Sequence, residues 1–281
     1  MEDTILTMYC LVDDFLTAYG WTDDAQSTFS TAEVMTVTLV AATYFGGKIE
    51  ISRLFLKHHG YMLRMVSKSR LNRRLHAIPE EVWQAFFHLL AGIAKATDET
   101  HAYIADSFPV PVCDNIRIRR CRLYPLADGD AFRGYIASKR RYFYGVRVHL
   151  LVTATGLPVE FALAPGATSD LPVFREFGLE LPDDAVIYAD KLYNDYEYED
   201  LLAEIGIEFR PLRKKNSKRP RPGWESYLDQ HARKQVETTN SQITALFPKV
   251  IHAVTPRGFE LKIICFVLAL ALRSLVSPWT G

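Results

Sequence analysis

The feature that most constrains this chain is a change of hydrophobic period near Thr97. Before it, apolar residues recur at helical spacing. Ile5, Leu6, Tyr9, Val12, Leu16 and Tyr19 make one such face. Ser30 with Glu33 forms a possible capping box, opening a helix that runs to about Phe45, before Gly46-Gly47. A shorter helix is expected over Ile51 to His58. In "SKSRLNRRLHAIP" (residues 67–79), Ser67 or Ser69 can cap a helix whose apolar face is Leu71, Leu75 and Ile78. Arg70, Arg73 and Arg74 lie largely off that face, and Pro79 ends it. Glu80 to Lys95 is amphipathic, with Trp83, Phe86, Phe87, Leu90 and Ile93 inward. These signals give an all-helical unit over residues 1–98 and a second unit over residues 99–281, with a linker at Ala96 to Thr100.

After Thr97 the pattern is that of short strands alternating with helices. "HAYIADSFPVPV" reads as a strand, and residues 141–166 read as two strands joined by a Thr-Gly turn. A helix capped by Ser169 or Asp170 follows, then the strand "AVIYAD", a helix ending at Gly206, and the strand "IEFRPL". Two long helical stretches close the chain, from Trp224 to about Phe247 and from about Gly258 to Val276. Such an order predicts an α/β fold, a mixed sheet flanked by helices.

Composition narrows the function classes. With 48% hydrophobic residues the chain can build a real core, and its formal net charge of zero names no partner. The distribution says more: residues 101–150 hold nine Lys/Arg against four Asp, and residues 151–200 hold two against eleven Asp/Glu. A neutral sum can therefore hide a basic face. Cys10, Cys113, Cys121 and Cys265 include no C-x-x-C pair, which argues against a zinc site or a disulfide framework and points to a reducing cytoplasm. The run Ile263 to Leu272 is too short to span a bilayer and reads as a buried helix, so no membrane partner is expected. The acidic start Met1-Glu2-Asp3 is unlike a signal peptide.

Three acids stand out by position. Asp106 is expected to end a strand over Tyr103 to Ala105, Asp190 ends the strand Val186 to Ala189, and Glu237 lies within a long helix. Strand ends of an open α/β sheet are where ligands bind. Carboxylates gathered there suit Mg²⁺ or Mn²⁺. A pair of such ions, about 3.5–4 Å apart, drives in-line phosphoryl displacement. Each acid also has a plainer reading: a turn at Asp106, a helix cap at Asp190, and an ion pair of Glu237 with Arg233 one turn back.

The sequence resembles the DDE transposases of bacterial insertion sequences, which have a ribonuclease-H-like catalytic core. The resemblance covers roughly residues 100–276 and rests on "YIADSFPVPV", "YFYGVRVHLLVTATGLPVEFALAPGATSD", "VIYADKLYND" and "RKQVETTNSQI", the last with the R-x-x-x-E arrangement of Arg233 and Glu237. It implies that Asp106, Asp190 and Glu237 are the catalytic, metal-binding triad. It also implies that the chain binds terminal inverted repeats and target DNA, cleaves and joins DNA with two divalent ions, and acts as a homodimer in the DNA complex, within the cytoplasm at the nucleoid. The pattern departs at Gln230, where relatives often have Tyr, and at Thr244, where they often have Lys; Lys249 lies further on. A nuclease of the same fold that cuts without joining is the alternative enzyme. A catalytically dead, transposase-derived DNA-binding regulator is the alternative outside enzymes.

Basic stretches complete the reading. "RPLRKKNSKRPRP" (residues 210–222) carries Arg210, Arg213, Lys214, Lys215, Lys218, Arg219 and Arg221 between a core strand and the Glu237 helix. It reads either as a solvated charge run or as a phosphate-binding loop beside the site. Arg117, Arg119 and Arg120 form a second basic stretch, and Arg233 and Lys234 lie beside Glu237. Arg70, Arg73 and Arg74 would face DNA from the helical unit. His149 reads as a packed or hydrogen-bonded histidine.

Overall fold

The structure, a computed structural model, describes residues 1–276 other than 114, 126–129, 137–139, 214–215, 226, 228, 230, 232–233, 235–240, 242–243, 246 and 249. The chain divides into two compact units. One holds Met1–Leu90, Leu246–Ala253 and Arg257–Gly281; the other holds Ala91–Ala245 and Val254–Pro256.

The first unit is helical. It contains α1 (Glu2–Tyr19), α2 (Thr31–Tyr44), α3 (Ile49–His58), α4 (Lys68–Ala77), the first part of α5 (Glu80–Thr97) and the last helix, α8 (Pro256–Val276). α2 starts where the sequence signals it: the Glu33 N–H donates to Ser30 Oγ at 3.1 Å and the Ser30 N–H donates back to Glu33 Oε2 at 2.6 Å. That reciprocal pair satisfies two orphan donors of the first turn. Val34, Met35, Val37, Leu39, Val40 and Ala41 are all buried, so α2 is covered on every side and forms the centre of this unit. α8 is buried in the same way through Ile263, Phe266, Val267, Leu268 and Leu272. Its Phe266 lies so close to Gly47 that an added Cβ there would fall 2.9 Å from the ring. Ser67 caps α4 by accepting from the Arg70 N–H at 3.4 Å. Among the described residues no single helix is long and apolar enough to cross a membrane; α2 and α3 pass that test together but are bent by 109°.

The second unit is a mixed sheet of ribonuclease-H-like topology. Its strands are β1 (Ala102–Cys113), β2 (Arg133–Ile136), β3 (Arg141–Thr153), β4 (Pro158–Pro165), β5 (Val186–Ala189) and β6 (Glu208–Pro211). Central β1 pairs antiparallel with β3 on one side and parallel with β5 on the other, and β6 extends the parallel side. On the far edge of β3, β2 pairs with residues 141–144 and β4 with residues 146–152. The helices α6 (Asp170–Arg175) and α7 (Tyr196–Glu204) complete the α/β layers. Phe174 of α6 stacks on Phe209 of β6 at 5.3 Å and meets Tyr193 and Tyr198 edge-on, which anchors both helices to the sheet. Every described residue from 223 to 245 is helical.

Among the described residues the main strands and helices follow the sequence expectation, and the differences include short 3₁₀ helices at Asn115–Arg120 and Asp130–Phe132 and two points in the sheet. β2, a four-residue strand, has no signal in the hydrophobic pattern. β1 does not stop at Ala105; it runs on to Cys113 because its antiparallel partner β3 continues beyond the point where β5 ends.

Candidate active site

The parallel ladder between β1 and β5 fixes two carboxylates side by side. Its last rung pairs Ala105 with Ala189, and the next residues are Asp106 and Asp190. Asp190 leaves the sheet there, whereas Asp106 sits in mid-strand, opposite Leu150 of β3. The expectation that Asp106 ends its strand is therefore corrected: what ends beside it is the neighbouring strand. Asp190 also caps, as its plainer reading had it. Its Oδ1 accepts the Lys191 N–H at 2.6 Å and opens a short 3₁₀ turn over Lys191–Tyr193.

Both acids line one pocket of about 860 Å³, together with Ser107, Arg147, Asp170 and Tyr193. Burial pushes the Asp106 carboxyl up to about 6, and the nearby acids Asp170 and Asp190 push it the same way. The Ser107 N–H, 2.6 Å from its Oδ1, and the Arg147 guanidinium pull in the opposite direction. Burial, joined by the charges of Asp170 and Asp106, also holds the Tyr193 hydroxyl well above its ordinary range. The pocket thus concentrates negative charge in a poorly solvated place, where ionised carboxylates are costly without a cation.

Asp170 is the acid that sequence reasoning treated only as a helix cap. Ser169 takes the cap position, without a side-chain hydrogen bond. The Asp170 carboxylate instead accepts from Ser107 Oγ at 2.6 Å and lies 3.7 Å from Arg147 Nη1 and 3.6 Å from His149 Nδ1. His149 is buried, neither ring nitrogen has a hydrogen-bond partner among the described residues, and burial lowers its pKa to about 4. It is packed and neutral at pH 7. Among the described residues no three His, Cys, Asp or Glu side chains converge as a metal-holding group. Glu237 and Arg233 lie outside the described residues, as do Gln230 and Lys249.

The basic side chains fall into two classes. Arg213 forms a bidentate pair with Glu199 at 2.5 and 2.7 Å, and Arg221 reaches Asp229 at 2.5 Å. Arg210 pairs with Glu208 and Arg219 with Asp200. In the helical unit Arg74 is held by Asp23 at 2.9 Å and by Ser27. The Arg210–Glu208 pair lies within β6; the other pairs tie separate segments of the chain together. Arg117, Arg119, Arg120, Lys218 and Lys234 are exposed, and so are Arg70 and Arg73, which line a pocket of about 470 Å³ with Arg74. Lys214 and Lys215 lie outside the described residues.

The sequence missed Arg147, Ser107 and Asp170 as one group. Ser107 follows Asp106 directly and Asp170 closes the segment "GATSD", but only the antiparallel register of β1 and β3 reveals that Arg147 joins them.

Comparison with known proteins places the chain. No curated protein matches the sequence. Among solved structures it is similar to the piggyBac transposase of a cryo-EM synaptic complex with hairpin DNA, at 11% identity and a TM-score of 0.48, over 96% of this chain and 72% of that one. The family model described as "Transposase DDE domain" matches residues 96–253, more than half of the chain. The chain belongs to the transposase DDE domain family.

Proposed function

We propose that this chain is an insertion-sequence transposase that binds terminal inverted repeats and cleaves and joins DNA by phosphoryl transfer. The observation that carries this reading is the placement of Asp106 and Asp190 directly after the last rung of one parallel ladder, in one pocket. The fit to a divalent cation rests on the donor set: two carboxylates side by side, one pushed up to about 6 by burial and by neighbouring acids. Asp106 and Asp190 would hold Mg²⁺ or Mn²⁺, two ions in all, with Glu237 as the third acid of the set. Such ions supply charge that activates the attacking oxygen and stabilises the leaving one.

The protein's own residues divide the remaining work. Arg117, Arg119, Arg120, Lys218 and Lys234 are exposed and suited to backbone phosphates, which position DNA without reading bases. Residues 1–98 would recognise the element's ends, with Arg70 and Arg73 facing DNA. A hydrolysed phosphodiester leaves a 3′-OH, and that hydroxyl then attacks target DNA. Two ends handled together make a homodimer in the DNA complex the expected assembly, in the cytoplasm at the nucleoid.

The test is incubation of labelled DNA carrying the inverted repeats that flank the gene, with Mg²⁺ or Mn²⁺. Cleavage at the repeat ends and joining to a second DNA are expected, and Asp190→Asn should abolish both while DNA binding persists. Near-normal cleavage by Asp190→Asn would overturn the site. Cutting without joining would leave the nuclease instead.

A further inference from the structure

Two arginines line the acidic pocket, exposed Arg133 and largely buried Arg147, and the donors of the buried one are poorly used among the described residues. Arg147 projects from β3 and lines the same pocket as Asp106 and Asp190. Its side chain is only 17% exposed. Nη1 donates to Ser107 Oγ at 3.2 Å, Nη2 donates to the Tyr135 carbonyl at 3.4 Å, and the nearest carboxylate oxygen, on Asp170, is 3.7 Å away. Its Nε is buried without a hydrogen-bond partner among the described residues. Arg213 is as little exposed, and its Nε too is without a partner among the described residues, but its terminal nitrogens form a bidentate carboxylate pair at 2.5 and 2.7 Å that Arg147 lacks. A guanidinium is permanently charged and carries a planar fork of donors matched to phosphate. Leaving such donors unused in a desolvated place costs free energy unless a ligand completes them.

We propose that Arg147 is a phosphate-binding residue of the catalytic site, contacting a non-bridging oxygen of the scissile phosphate, with Asp170 and Ser107 as the positioning residues that aim it. This rests on the transposase reading above. The pocket has two sides. Asp106 and Asp190 offer oxygen to cations, and Arg147 offers nitrogen to the anionic substrate. Asp170 belongs to the second side: its Oδ1 accepts from Ser107 and faces Arg147 and His149. His149 Nδ1 lies 3.6 Å from the same Asp170 oxygen, and the buried ring adds no competing charge. The arrangement gives a cation next to the reacting phosphate without requiring it to compete for the carboxylates that hold metal. It also supplies a contact that strengthens as charge develops on the transferring group.

The test uses the full chain and equilibrium binding in the absence of divalent cations. Two repeat-end duplexes are compared, one native and one with an uncharged methylphosphonate at the scissile position. Arg147→Gln should weaken binding to the native duplex by about tenfold or more, and should leave binding to the methylphosphonate duplex unchanged. Asp170→Asn should give the same pattern with a smaller loss, and Arg147→Lys should recover part of the native affinity. With Mg²⁺, Arg147→Gln should cut kcat for cleavage by about a hundredfold. Thermal melts of each variant identify any that fail to fold, and Arg147→Lys, which keeps the charge, then carries the comparison. Equal losses on both duplexes, or no loss on either, overturn the proposal. A wild-type protein that binds both duplexes but never cleaves overturns the transposase reading, while the duplex comparison still decides whether Arg147 touches the phosphate.

Discussion

Asp106 bears much of the electrostatic cost of the pocket, and the sign of that cost can be measured. Its pKa in the fold, about 6, lies above the ordinary 3.8. Between those values the native chain holds a proton that the unfolded chain has released, so stability falls as pH rises through this window. Below about pH 4 the penalty is absent; above about pH 6 it is complete. In metal-free protein Asp106→Asn should therefore stabilise the fold at pH 8 by roughly 1–3 kcal/mol, and the gain should vanish near pH 4. Urea denaturation with EDTA at both pH values checks this, and a wild-type midpoint equal to that of Asp106→Asn at pH 8 would contradict it. At this scale the sequence was partly legible. Asp106 and Asp190 could be found because each follows a short apolar run. Asp170 could not, because a carboxylate at a helix start looks like a cap until its partners on β1 and β3 are known. Within the basic run at residues 210–222, Glu199 engages Arg213 and Asp229 engages Arg221, pairings that no local pattern announces.

Elements with strong local chemistry were readable, and those defined by a partner were not. The Ser30–Glu33 box marks the start of α2 within the sequence itself. β2 is four residues containing a glycine, and it is a strand only because residues 141–144 of β3 offer it a ladder. The join between these strands is unusually tight. A Cβ at Gly166, just after β4, would lie 2.8 Å from the carbonyl oxygens of both Gly145 and Phe132. Both are backbone atoms that cannot swing aside. Gly166→Ala should cost about 1–3 kcal/mol, the range for overpacking a close contact, read as a lower denaturation midpoint. Because Gly166 also lines the pocket, cleavage should fall by more than the loss of folded protein explains. A variant as stable and as active as wild type would show that the strands can part there freely.

At the scale of the whole molecule the last helix matters most. α8 groups with residues 1–90, where Phe266 packs at Gly47 and Arg257 reaches the Ile78 carbonyl at 3.5 Å. No local signal could announce this, since the two segments are separated by the entire sheet unit. A fragment of residues 99–281 should then expose Ile263, Phe266 and Val267 and aggregate, which size-exclusion chromatography would report. A soluble, monomeric 99–281 fragment would contradict that. The same feature imposes an order on synthesis. At about 5–20 residues per second, translation of the stretch between Leu90 and Arg257 takes roughly 8–35 s. For that interval the earliest helices are outside the ribosome without the helix that completes their packing. The sheet unit, whose residues arrive later, has nearly all its chain before the helical unit has its last piece. Of the two units, the one begun earlier is thus finished later, and in the cell its apolar surface would depend on chaperones, or on slow translation, for those seconds.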